Sequence, residues 1–564
     1  MASVIEKRRA DGRTYYYLVE SARVDGKPRI VSQQYLGSAA EVAAKLSGAG
    51  SGAGQVRSQH KRFGDLAAAW SVLDRLNIAP IIDEVVPRRA DANVSIGTFV
   101  ALACANRVVD PCSKLAFATW WDSTAGPRFT KIAASSLDHH AFWKAMDRLG
   151  TAELGLIEER VTASMIAEFG LDTSGLMLDM TNFATFIDSG NDAAPIAQRG
   201  KAKQKRSDLR LVGLGLVVTR DGAIPLLSHP YPGDRPDVTQ FATVLTALTD
   251  RFAALGAPAR DLTVVYDAGQ NSANNHALVE AAGFGFVGSL PPSDHPRLLA
   301  LPAKAYAPVD QARFPGVTCI DTTVTALGVT RRAVLTHSPT LHAAQRRGFD
   351  QTLAKVRRQL AEVQARLARG NTRKDRAAVE AEIATICKAR WVKDVIAVEL
   401  SGHTPAEFRL TWRTDAAARR RLEKRLFGKR ILFTNRDTWT TAEVVAAYRS
   451  QAGVESGFRQ MKDPQVVSFS PLHHWTDSKI RVHVFYCVLA LTVAHLMRRE
   501  AQRAGLDLSV RALLADLAGI GETVLLHHDG GKGRPRAQRL LTDMNPAQRT
   551  LHDLFDLGRY APTR

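Results

Sequence analysis

The sequence predicts a mixed α/β fold in which an α/β core carries a large mixed helical and strand insertion and is preceded by a small β module and a helical region. Three observations predict it. Apolar residues recur at helical spacing from about residue 63 to 170, and after Gly175 the pattern changes to the alternation and short apolar runs of strands. Beyond about residue 300 a separate seam appears, in which Phe349, Leu353, Val356, Leu360, Val363 and Leu367 are spaced 4, 3, 4, 3, 4.

At the start, "TYYYLVESARVDGKPRIVSQQYLG" alternates around a turn at Asp25–Lys27, so residues 1–47 read as a small β-hairpin module with a possible role in DNA binding. "GAGSGAG" at 48–54 opens a linker assigned to 48–62. Residues 63–172 form a helical region suited to DNA binding or dimerisation: "DLAAAWSVLDRLNI", "IGTFVALACANRVV" and "DHHAFWKAMDRLG" repeat apolar residues every three or four positions, with Ser95 and Asp138 as caps.

Strands follow. "GLMLDMTNF" reads as a strand ending in Asp179, and "LRLVGLGLVVT" and "AIPLLSHPY" are joined by a turn at Arg220–Gly222. A helix in "DVTQFATVLTALTDRFAAL", a buried strand "DLTVVYDAG" ending at Asp267, a helix in "ANNHALVEAAG" and the strand "FGFVGSL" complete the series. The order β-β-β-α-β-α-β is that of a ribonuclease-H-like core, assigned to 173–300 and, after an insertion at 301–427, to 428–500. In such an order the fourth strand lies parallel beside the first. Asp179 and Asp267 then project from neighbouring strands, as oxygen ligands to divalent metal do. Within the insertion, "GNTRK" (Gly370–Lys374) breaks the seam before a second helical run to Lys388, an antiparallel helical hairpin flanked by strands in "VTRRAVLTHS", "KDVIAVELSG" and "FRLTWRTD".

The stretch "YRSQAGVESGFRQMKD" (448–463) reads as one amphipathic helix. At about 100° per residue, Tyr448, Gln451, Glu455 and Lys462 share a stripe roughly 60° wide, and Val454, Phe458 and Met461 form the adjoining apolar face. Alone, Glu455 is more readily a surface residue paired with Arg459 one turn later. With two strand-end aspartates, it reads as their third partner.

Composition narrows the partners. A formal charge of +19 and a pI near 9.9 favour a polyanion. Residues 199–210 hold six cations, among them Lys201, Lys203, Lys205 and Arg206 as candidate phosphate contacts, and a basic C-terminal region (501–564) contains the loop "DGGKGRPRAQR". Five cysteines without a CxxC pair argue against structural zinc and a disulfide framework and suit a reducing cytoplasm. The N-terminus does not read as a signal peptide. The apolar run Val482–Met497 is shorter than the roughly 20 residues of a membrane span and reads as a core helix, so no membrane is expected. No P-loop occurs.

"LDMTNF", "VVYDAG" followed by "FVGSL", and "YRSQAGVESGFRQMK" together resemble the three motifs of DDE transposases of the insertion sequence 4 superfamily, most like the insertion sequence 1634 family. The resemblance spans about residues 10 to 500. Tyr448, Glu455 and Lys462 match the last motif, whereas Gln451 stands where the family has arginine. The resemblance implies that Asp179, Asp267 and Glu455 are catalytic and hold two Mg²⁺ ions, with Mn²⁺ able to substitute. It also implies that Tyr448, Gln451, Arg459 and Lys462 meet DNA. The activity implied is cleavage at terminal inverted repeats and strand transfer into target DNA. The partners implied are double-stranded DNA and a second copy of the chain, in a prokaryotic, nucleoid-associated cytoplasmic setting. A catalytically silent DNA-binding descendant and a ribonuclease-H-like structure-specific nuclease are the alternatives.

Overall fold

The computed structural model describes the chain except for residues 1, 9–13, 25–26, 40, 44–55, 89–91, 189, 202–207, 371, 528–535 and 564. The Asp25–Gly26 turn, the glycine-rich run 48–54, Lys203, Lys205, Arg206 and most of the 529–539 loop therefore lie outside the described residues. The chain divides into two units, one comprising 1–72, 112–142 and 500–564 and the other 73–111 and 143–499.

In the first unit the expected hairpin has a third strand: β1 (Ala2–Arg8), β2 (Thr14–Val24) and β3 (Lys27–Ser38) form an antiparallel sheet in that order. The second half of the expected linker is also a strand. β4 (Val56–Arg62) pairs antiparallel with Gly521–His527, which in turn pairs with Arg536–Leu541. The basic C-terminal region is thus built into a sheet whose first strand lies near the other end of the chain, a pairing that no local pattern announces. Phe117, Trp120, Trp121 and Phe142 form an aromatic core, with Phe117 5.2 Å from Trp120 and 5.8 Å from Phe142 between ring centroids. Glu522 is buried and takes an ion pair from Arg128 at 2.6 Å, with Arg539 at 3.3 Å.

The second unit holds the helices Ile96–Val109 and Thr151–Phe169 and a large mixed sheet. Ser95 caps the first of these helices by accepting from the Thr98 amide, as expected. β5 (Gly175–Ala184), β6 (Leu211–Thr219) and β7 (Pro225–Pro232) form an antiparallel meander. Gly222, at φ +88°, turns the β6–β7 connection, where a side chain would be strained. After the helix Asp237–Ala254, β8 (Thr263–Tyr266) enters parallel beside β5; after the helix Ala273–Ala281, β9 (Gly285–Leu290) enters parallel beside β8.

The sheet does not stop at β9. β10 (Ala307–Pro308), β11 (Thr318–Ala326), β12 (Val329–His337) and β15 (Lys429–Thr434) extend it, in the order β10-β11-β12-β15-β9-β8-β5-β6-β7. Residues 301–337, assigned from sequence to the insertion, therefore belong largely to the core sheet, because β15 and β12 cover the edge that β9 would otherwise leave unpaired. What is inserted between β12 and β15 begins with the helix Pro339–Ala368, whose six seam residues are all buried. It continues through the helix Arg376–Ile386, the hairpin of β13 (Ile396–Ser401) and β14 (Arg409–Thr414), and the helix Ala416–Leu426. Arg366 and Lys374 both reach Glu382, at 2.6 and 2.8 Å, tying the two hairpin helices together.

The helix Asp477–Arg503 is long and apolar enough to cross a membrane, yet 94% of its most apolar window is buried inside the protein. Burial pushes the pKa of its His495 down to about 3, and the neutral ring donates from Nδ1 to the Ala223 carbonyl at 2.7 Å.

Candidate active site

The parallel register of β5 and β8 pairs Leu178 with Tyr266, so the next residues on the two chains are Asp179 and Asp267. The register of β8 and β9 pairs Val265 with Val287, which carries Ser289 to the same level. Asp179, Asp267 and Ser289 thus form a row across three neighbouring strands, about 4.8 Å apart from strand to strand. Buried apolar residues flank each aspartate within its chain, Leu178 and Met180 on one side and Tyr266 on the other, so each carboxylate is held by well-packed backbone.

Asp267 is exposed and caps a short helical turn, accepting from the Ala268 amide at 2.6 Å. Longer contacts from Ser289 Oγ (3.3 Å) and Tyr448 Oη (3.4 Å) reach the same oxygen, and Tyr448 also donates to Ser289 at 3.0 Å. Burial raises the Tyr448 pKa, so the phenol stays protonated and serves as a donor. Asp179 is half-buried and accepts from the Met180 amide at 2.7 Å.

The stretch expected as one helix is two, Thr441–Arg449 and Ala452–Lys462. The break comes at Ser450 and Gln451: Ser450 Oγ donates to the Ala447 carbonyl and the Gln451 amide to the Tyr448 carbonyl, a tighter i to i+3 turn. Tyr448 therefore does not share a continuous helical stripe with Glu455. Two contacts pin the second helix across β5. Gln451 Nε2 donates to the Leu178 carbonyl at 3.2 Å, and Lys462 Nζ donates to Thr181 Oγ1 at 2.6 Å while lying 5.2 Å from the Phe183 ring centre. Glu455, one turn after Gln451, lies between these anchors on the exposed face of the helix, whose other face buries Val454, Phe458 and Met461. Among the described residues it has no ion pair, so the expected alternative of a bridge to Arg459 is absent.

Tyr448 and Gln451, expected to meet DNA, are enclosed. Gln451 is 6% exposed, and its Oε1 is buried without a partner. Their polar atoms face the strand ends, so they position the site from within the protein. Arg459 is exposed. Lys201 is exposed too, and its carbonyl accepts from Asn182 on β5 at 3.0 Å, which brings the start of the basic segment to the strand that carries Asp179. The last cation of that segment behaves differently: Arg210 is buried and donates to the carbonyls of Ala197, Asp188, Asn191 and Ala194, organising the loop rather than facing solvent.

Ser289 and Thr181 were not singled out from sequence. Register extrapolation from "VVYD" and "FVGSL" would have reached Ser289, whereas Thr181 required the crossing of the helix. The donors at the row are carboxylate oxygens, suited to a hard divalent cation. Among the described residues no three histidine, cysteine, aspartate or glutamate side chains already stand together as a metal cluster.

No family model and no curated protein matches the chain. Among solved structures, a piggyBac transposase in a synaptic complex with hairpin DNA is similar over 82% of this chain and 82% of that one, with 8% sequence identity and a TM-score of 0.38. At this distance the likeness leaves function to the geometry of the site.

Proposed function

We propose that the protein is a DNA transposase of the DDE type with a ribonuclease-H-like catalytic core, of the insertion sequence 4 superfamily and most like its insertion sequence 1634 branch. The observation that carries this reading is the row itself: two aspartates next in register on neighbouring parallel strands, with a helix pinned across one of those strands so that Glu455 falls between its anchors. Asp179, Asp267 and Glu455 hold Mg²⁺, two ions in the full site, with Mn²⁺ as a substitute. When bound, such ions polarise a phosphodiester and supply a nucleophilic oxygen at neutral pH. The protein's own groups do the positioning. Tyr448 and Ser289 hold the Asp267 carboxylate in place, Gln451 sets the height of the Glu455 helix over β5, and Lys462 adds positive charge at the far edge.

Cations then supply affinity: exposed Lys201 and Arg459, half-buried Lys462, and Lys203, Lys205 and Arg206 bind DNA phosphates. The substrate is double-stranded DNA, first as terminal inverted repeats and later as target, with the chain acting as a homodimer in a prokaryotic nucleoid. The test is cleavage of DNA carrying the inverted repeats that flank the gene, with Mg²⁺ and with EDTA. Metal-dependent cutting at the repeat ends followed by joined products supports the proposal. Cutting without joining makes the protein a nuclease, and binding without cutting makes it a silent DNA-binding descendant.

A further inference from the structure

Among the described residues, two arginines beside Tyr448 have no acidic partner. Arg430, on β15, lies over the Tyr448 ring with its guanidinium 4.9 Å from the ring centre, on a residue whose hydroxyl is turned toward Ser289 and Asp267. Arg449, the last residue of the Thr441–Arg449 helix, stacks on Phe314 at 4.7 Å. Both line a cavity of about 430 Å³ whose other walls are mostly apolar, among them Val317, Leu341, Leu432 and Val445, with Thr340 beside them and no carboxylate in the lining.

Neighbouring arginines of the same unit find other partners. Arg331 meets Glu280 at 3.0 Å, Arg332 meets Asp321 at 2.6 Å, and Arg436 donates to Thr263 Oγ1 and to the carbonyls of Arg260 and Leu262. Among the described residues Arg430 and Arg449 make no ion pair. Partial burial lowers the Arg449 pKa, and repulsion from Arg430 adds a smaller push in the same direction. A bound anion removes that repulsion, and guanidinium groups match the oxygens of a phosphate.

Arg449 also lines a second cavity, of about 670 Å³, together with Arg220, Arg313, Phe314 and Trp439. Its one acid, Glu443, accepts from the Thr440 amide at 2.7 Å and keeps its negative charge, since that capping contact, and after it the nearby Arg313 and Arg220, hold its carboxyl below the usual range. Cations beside an accessible ring suit a single nucleic-acid strand, the cations for its backbone and the half-buried Trp439 for a base, while Phe314 is buried against Arg313 and Arg449.

We propose that the Arg430–Arg449 cavity seats a backbone phosphate of a single DNA strand, and that the strand continues past Arg449 into the chamber of Arg220, Arg313 and Trp439. This rests on the nucleic-acid reading above but not on its chemistry. The test is therefore made without metal: full-length protein in EDTA, titrated into a labelled single strand of about 20 nucleotides, longer than a typical single-strand site, over a range of salt concentrations. Arg430→Gln and Arg449→Gln are each expected to weaken binding about three- to tenfold. The double variant should also reduce the slope of log affinity against log salt by about 0.7, the contribution of one phosphate, and each single variant by less. Arg430→Lys is expected to keep the slope and lose part of the affinity, because lysine binds phosphate as a point charge. Arg313→Gln, at an exposed position, provides the same slope change should the double variant not fold. A folded double variant with wild-type affinity and slope overturns the proposal. So does displacement of the strand by inorganic phosphate or a mononucleotide at strand-like affinity, which would make the cavity a free-phosphate site. Wild-type protein that binds no nucleic acid removes the functional reading as well, whereas normal strand binding by the double variant removes only this assignment.

Discussion

Glu522 and Glu455 are glutamates of one strongly basic chain, and the fold treats them in opposite ways. Glu522 is 2% exposed and held by Arg128 and Arg539. Glu455 is exposed and makes no ion pair among the described residues, although Arg459 follows one turn later on the same helix. Burying a carboxylate is tolerable only when a cation and hydrogen bonds replace its water, so Glu522 is part of the architecture of its unit. Glu455 instead stays without an ion pair among the described residues, on a helix pinned across the strand that carries Asp179. The same contrast separates Arg128, which has its carboxylate, from Arg430, which has none.

The strongest test of this contrast is Asp267→Ala or Glu455→Ala. Each is expected to lower metal-dependent end cleavage at least about 10³-fold, since several kcal/mol of transition-state stabilisation would be lost. Glu455→Ala should move the unfolding free energy by no more than about 0.5 kcal/mol in urea titration. Near-normal cleavage by either variant ends the assignment of that residue. Glu522→Ala should show the reverse, a loss of about 3–5 kcal/mol in unfolding free energy from stranding Arg128. A loss under about 1 kcal/mol would place Glu522 with the exposed acids.

The inserted hairpin offers a test of purely structural burial. Leu360 is fully enclosed in its seam, so Leu360→Asp should cost about 3 kcal/mol or more and open the hairpin to protease. Unchanged protease resistance would mean that the seam is not packed. His495 gives the enclosed groups a pH signature. Its folded pKa lies near 3, below the ordinary 6.5, so the unfolded chain takes up the proton first as pH falls. Its contribution is complete above about pH 6.5 and declines toward pH 3 by about 1.4 kcal/mol per pH unit. His495→Gln should remove one proton's worth of that slope in acid unfolding curves, and an identical slope would show that the ring is protonated in the folded protein. The smallest effect is expected at Lys462: Lys462→Ala should reduce cleavage about tenfold and end binding less than about threefold, because many other cations share the backbone contacts. Equal losses would make it a general DNA anchor.

Much of this was legible in the residue pattern. The seam from Phe349 to Leu367, the Ser95 cap and the succession of strands and helices from Gly175 to Leu290 all follow from spacing over a few turns or one strand, whereas Asp179, expected to end its strand, lies within β5, which runs on to Ala184 because its pairing with β6 continues. The break at Ser450 and Gln451 escaped because both residues keep right-handed backbone angles and the apolar period runs through them. Gln451 looked like a surface residue, since a polar side chain does not announce that it will donate to Leu178 across 273 positions.

Local chemistry, then, settled which segments from Gly175 to Leu290 are helices or strands, because periodicity, caps and turn residues act over a handful of neighbours. Folding alone decided that β4 pairs with Gly521–His527, that β12 and β15 widen the core sheet, that Lys462 reaches Thr181, and that Arg430 meets Tyr448 without an acid nearby. Backbone hydrogen bonds between strands are nearly blind to side-chain identity, and a charge is paired or unpaired only when distant segments arrive beside it. Neither fact is written within any one stretch of the chain.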